Sequence, residues 1–211
     1  MSLFTQEFKE ALSHLPSAEK DKLILRLLKK DLNLANRLLF ELVDTHSIED
    51  RRAVLEERII NHVKKMTEGF YSIAYFNVEV RWLSGDITEH VRITKDKYGE
   101  ASLNLLLINE ILKQNKENIV TARPPVKLRK FSTQLIARVF KVLLLINKMD
   151  ADLLLEFKDN LKLLGELLSD NNKLMNTAVK NGLDVNWLLN AEIPNDIITI
   201  HKELKANGLL K

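Results

Sequence analysis

Residues 71–94 read YSIAYFNVEVRWLSGDITEHVRIT, and the period assigned to this stretch decides the fold. With a period of two, Phe76, Val78, Val80 and Trp82 fall on one face and Asn77, Glu79 and Arg81 on the other. A second alternating run places Ile87, Val91 and Ile93 opposite Thr88, His90, Arg92 and Thr94. Ser84-Gly85 lies between them, and a two-residue loop of that composition sets a hairpin register by itself. It pairs Trp82 with Ile87, Val78 with Val91 and Phe76 with Ile93, leaving only Glu89 misplaced opposite Val80. The spacing therefore predicts a β-hairpin over about residues 76–94, resting its apolar face on helices, because a lone hairpin is marginal in water. The competing reading is one buried helix.

Around this stretch the chain reads as helix. It has 211 residues, 6 Gly and 4 Pro, too few turn-formers for a strand-rich fold. Leu3 to Leu15 carries Phe4, Phe8, Ala11, Leu12 and Leu15 on one stripe, and Pro16 ends it. Helices follow from Ser17, from about Leu32, and from Ser47, where Asp50 completes a box-like cap. Beyond the hairpin, helical pattern resumes near Glu100. Pro124-Pro125 sits in a connector over residues 118–128, and a helix runs from about Arg129 to Lys148. The next carries Leu153, Leu154, Phe157, Leu161, Leu164 and Leu168 on one stripe. The expected fold is mainly α: about eight helices in a bundle or short irregular helical array with one inserted β-hairpin. One domain spans residues 1–211, with 118–128 the best place for a subdomain boundary. No fixed-period repeat is present.

Several chemistries lose their usual signals. No Cys is present, which excludes disulfides, thiolate metal sites and a cysteine nucleophile. The five His form no H-E-x-x-H pair, and no phosphate-cradling glycine motif or G-x-S-x-G elbow exists. No catalytic residue, metal site or cofactor is expected. The start, Met1-Ser2-Leu3-Phe4, lacks a basic region followed by an apolar core, and Val142–Ile146 is far too short to span a bilayer. A cytoplasmic protein with no membrane partner is expected. The spacings Glu7-x-x-Glu10 and Glu41-x-x-Asp44 are similar to the paired acids with which all-helical nucleotide pyrophosphatases hold magnesium. On their helices, however, Glu10 and Asp44 point about 145° from the apolar stripe. That activity is the remote alternative.

Charge distribution is the feature above background. From Lys113 to Lys148 nine basic residues face one acid, Glu117, while from Ala151 to Asp196 four Lys face eight acids. Lys130, Gln134, Arg138, Lys141 and Lys148 fall within about 80° of one helix face. With Arg123, Lys127 and Arg129 on the approach, they make a ribbon suited to an acidic protein partner or to a phosphate backbone. Arg81, His90 and Arg92 on the polar face of the hairpin form a second candidate surface, and Trp82 and Trp187 are expected in the core. The function expected is a non-enzymatic binding or scaffold module for a protein partner, with nucleic-acid binding through residues 123–148 as the alternative.

Overall fold

The computed structural model describes residues 4–211, apart from the side chain of Ala151. The expected helix start at Leu3, and Met1 to Leu3 of the segment read for a leader, lie outside the described residues. Among those described, every element is an α-helix and no strand occurs. No helix is long and apolar enough to cross a membrane. The chain divides into two compact units, residues up to 45 with 92–94, and the remainder.

The first unit holds α1 (Gln6–His14), α2 (Ser17–Leu28) and α3 (Leu32–Leu42). Thr5 caps α1 by accepting from the Phe8 N–H, and Asp31 caps α3 by accepting from Asn33 and Leu34. α2 packs on α3. None of the three helices buries a residue.

The second unit contains the core. α4 (Ile48–Glu68) opens on the Ser47–Asp50 capping box, with both reciprocal bonds formed at 2.9 and 3.0 Å. It turns at Gly69 into α5 (Ile73–Thr94), a single continuous helix through the whole expected hairpin. The expected β-hairpin is therefore absent. Ile73, Phe76, Val80, Leu83 and Ile87 form the buried face, at the i, i+3, i+7, i+10, i+14 spacing of a helix. Each contributes roughly 1.5–3 kcal/mol by burial. Trp82, which alternation places inward, is 60% exposed. Ser84-Gly85 makes no turn: Ser84 Oγ donates to the Val80 carbonyl, and Thr88 Oγ1 donates to that of Ser84, both at 2.8 Å. The expected hairpin surface goes with the hairpin. Arg81 and His90 are nine residues apart and lie on opposite sides of the helix; Arg81 and Arg92 are exposed, whereas His90 is buried.

α4 and α5 run antiparallel, cross-linked by His62–Glu79 at 2.8 Å and Arg58–Asp86 at 3.1 Å. Lys95, in the left-handed conformation, ends α5, and Asp96 caps α6 (Lys97–Gln114). α6 is buried on nearly every side and packs on α4, on α8 (Pro125–Ile146) and on α9 (Ala151–Ser169). A short α7 (Lys116–Thr121) occupies part of the expected connector. Pro124 and Pro125 stand at the N-cap and first position of α8, where proline costs no hydrogen bond. The expected α9 stripe is inside at Phe157, Leu161, Leu164 and Leu168. α10 (Asn172–Lys180), α11 (Asn186–Leu189) and α12 (Ile197–Ala206) complete the unit, and Trp187 packs at the margin of the core.

Candidate functional site

One end of α8 and the face of α10 enclose a cleft of about 760 Å³. Its walls are Ala122, Arg123, Pro125 and Val126, the next turns of α8 through Leu128, Arg129, Ser132 and Thr133, and Lys173, Asn176, Thr177 and Lys180 on α10. The four α10 residues follow the i, i+3, i+4, i+7 rule, so a single face of that helix is presented. Asn181 and Leu209 close the far side. Asn181 is a structural clamp: its Nδ2 donates to the Thr177 carbonyl at 2.9 Å, and its Oδ1 accepts from the Leu210 N–H at 3.0 Å.

The electrostatics of the cleft are one-sided. Arg123, Arg129, Lys173 and Lys180 line it, and no acid does. Arg123 donates to the Ala122 carbonyl at 3.1 Å, and Lys173 donates to the Val120 carbonyl. These partners are neutral and leave both charges uncompensated. Among the described residues, none of the four cations is in an ion pair with a carboxylate. The uncapped N-terminus of α8 adds the positive end of a 22-residue helix. In the floor, Ser132 is 1% exposed and contributes to the cleft lining. Leu128 and Ala122 supply an apolar base, Asn176 an exposed amide, and no aromatic ring lines the cleft.

The residues of the expected ribbon are distributed differently from a single stripe. Arg123 and Arg129 line the cleft. Lys127 and Lys130 are exposed on the first turns of α8, outside its lining, and Lys148 is exposed just beyond the helix end. Arg138 is half-buried and donates to Ser84 Oγ on α5; burial pushes its guanidinium below the ordinary arginine value. Lys141 is matched by Glu100 on α6 at 2.9 Å. Lys173 and Lys180 were missed by charge counting, because they sit in a segment whose total is acidic. Their helical spacing was the signal that could have found them.

A second charged cluster is structural. Asp96 accepts from Arg52 Nε at 2.7 Å and Nη2 at 3.0 Å, and from the Gly99 N–H at 2.7 Å; it also meets His90 Nε2 at 3.1 Å. Burial works to raise its carboxyl, but the hydrogen bonds from Arg52, the Gly99 N–H and His90 outweigh that and hold it below the usual aspartate value. The Arg52 guanidinium lies 4.8 Å from the centre of the Tyr98 ring. These bonds to Asp96 fasten α4 and α5 to the start of α6.

Of the paired acids, Glu10 and Glu41 are each held within their own helix. Glu10 accepts from Gln6 at 3.1 Å, and Glu41 pairs with Arg37 at 2.6 Å. Among the described residues, no group of three or more His, Asp or Glu side chains comes together to hold a metal ion. No family model, curated protein or solved structure matches the chain.

Proposed function

We propose that this protein is a non-enzymatic helical binding module whose α8–α10 cleft takes an extended acidic segment of a partner protein. The observation that carries the proposal is the set of four cations without carboxylate partners around a cleft of ligand size. Two arginines can meet carboxylates in a bidentate fashion, and Lys173 and Lys180 supply point charges on the opposite wall. The Asn176 amide suits a peptide backbone, and the apolar base suits its side chains. A nucleic-acid strand has less support. The cleft offers no ring for base stacking, and the ribbon that would follow a duplex is interrupted at Arg138 and Lys141.

The test is fluorescence anisotropy with a labelled decapeptide rich in Asp and Glu, at low and moderate salt. Arg129→Glu combined with Lys180→Glu should weaken binding about tenfold or more, equivalent to at least about 1.4 kcal/mol. Lys148→Glu, outside the cleft, should leave affinity nearly unchanged. Equal binding by the double variant would reject the cleft as the site. Tighter binding of an oligothymidylate of the same charge would assign the surface to nucleic acid instead.

A further inference from the structure

A second, smaller cavity of about 250 Å³ lies at the corner where α4 turns into α5. It belongs to the second unit and is independent of the basic cleft. His62, Lys65 and Met66 line it from the last turns of α4, and Tyr75, Phe76 and Glu79 from the first turns of α5; Gly69, Phe70 and Tyr71 bridge them.

Two properties of this cavity stand out. First, four aromatic rings share its wall: Phe70, Tyr71, Tyr75 and Phe76. Phe76 is core, fixed edge-on against Phe131 at 5.8 Å and beside Phe70 at 5.8 Å. Tyr75 and Tyr71 are 53% and 86% exposed, although large aromatic side chains gain most from burial. Second, the wall contains a carboxylate, Glu79, only 8% exposed. One of its oxygens meets His62 Nε2 at 2.8 Å, and the other has no hydrogen-bond partner among the described residues. A buried carboxylate with spare acceptor capacity favours a cation, and ring faces favour the same charge through their quadrupoles. The C-terminal end of α4, the negative end of its dipole, also points to this corner. Lys65, exposed in the last turn of α4, also lines the cavity, so Glu79 faces both His62 and this ammonium as well as any ligand.

We propose that the α4–α5 corner is a binding site for a methylated ammonium group. Glu79 supplies the counter-charge, Phe70 and Phe76 form the fixed wall, and Tyr75 and Tyr71 close over the ligand. The cavity is smaller than those that hold drug-sized ligands, so it takes a headgroup or the tip of a side chain. Aromatic faces prefer a diffuse, weakly hydrated methylated cation to a compact primary ammonium, which must give up strong hydration.

The test uses the full chain and titrates choline, Nε-trimethyl-lysine and the uncharged choline isostere 3,3-dimethylbutan-1-ol, followed by NMR of the aromatic side chains. Both cations should shift the Tyr75 and Phe70 ring signals and bind at least about tenfold more tightly than the isostere. Tighter binding of trimethyl-lysine would identify a modified protein side chain as the source, and tighter binding of choline a small-molecule or lipid headgroup. Glu79→Gln and the surface substitution Tyr75→Ala should each weaken choline binding several-fold. Because Tyr75 is exposed, its variant keeps the fold and gives a clean reading even if Glu79→Gln disturbs packing. Equal affinity for the isostere, an unchanged affinity in Tyr75→Ala, or no shift at tens of millimolar choline would overturn the proposal.

Discussion

At the scale of single residues, Asp96 has the most demanding position in the second unit. It caps α6, receives both arms of Arg52 and meets His90, with its side chain only 4% exposed. Removing one member of such a pair leaves the other charge buried without compensation. Asp96→Asn should therefore cost about 3–5 kcal/mol in urea unfolding at neutral pH. The pH dependence follows from the lowered carboxyl. A folded-state pKa below the unfolded value, about 3.9, stabilises the fold above that value, and the contribution is lost as pH falls through the folded-state pKa. The gap between wild type and Asp96→Asn should thus stay constant from pH 7 to about 5 and shrink below about pH 4. A gap that persisted unchanged at pH 2 would mean that packing, and not charge, holds this corner. Gly99 is bound to the same arrangement, since a Cβ there would sit 2.0 Å from Asp96 Oδ2.

At the scale of elements, α5 is a helix whose apolar residues also fit a period of two. Phe76 and Val80 are four residues apart, and four is an even number that is also close to one helical turn. These two residues satisfy both periods. The discriminating positions are Ile73 and Leu83, which a helix buries with Phe76 and Val80 and a strand does not, against Val78 and Trp82, which only a strand buries with them; Ile87 fits both readings. Alternation places Trp82 on the apolar face, yet its exposure shows that a large ring can remain at the surface. Ser84-Gly85 favours the strand reading, because glycine in a helix interior usually costs stability. That cost is recoverable here: a Cβ at Gly85 would meet nothing within 4 Å. Gly85→Ala should raise stability by roughly 0.5–1 kcal/mol, seen as a higher urea midpoint with an unchanged slope. In a hairpin turn the same substitution would be destabilising, so the sign of the shift separates the two folds. The neighbouring elements were easier to read where a cap or breaker coincided with a clean stripe, as at Ser47–Asp50 and along α9. The short α7 was hidden because six residues cannot display a period.

At the scale of the whole molecule, the basic cleft was half legible. Arg123 and Arg129 belong to a run that charge counting along the chain finds. Lys173 and Lys180 come from a segment that the same counting labels acidic, and folding brings the two segments face to face. The buried hydrophobic cluster runs from Leu55 to Leu210 and includes no residue of α1, α2 or α3. Its centre is α6, in which Ala101, Leu103, Leu105, Leu107, Ile108 and Ile111 are all shielded while α4, α8 and α9 pack around them. A helix enclosed in this way has no side from which it can fray, so solvent reaches its amides only when the surrounding helices separate together. In deuterium oxide, the amides from Leu105 to Leu112 should be the last in the chain to exchange, at a rate set by global unfolding, while those of α1 to α3 exchange early. The second unit then carries its own timekeeper: the residual proton signal of α6, followed by mass spectrometry, counts every complete opening of the core, including openings too rare for any spectroscopic melt to register.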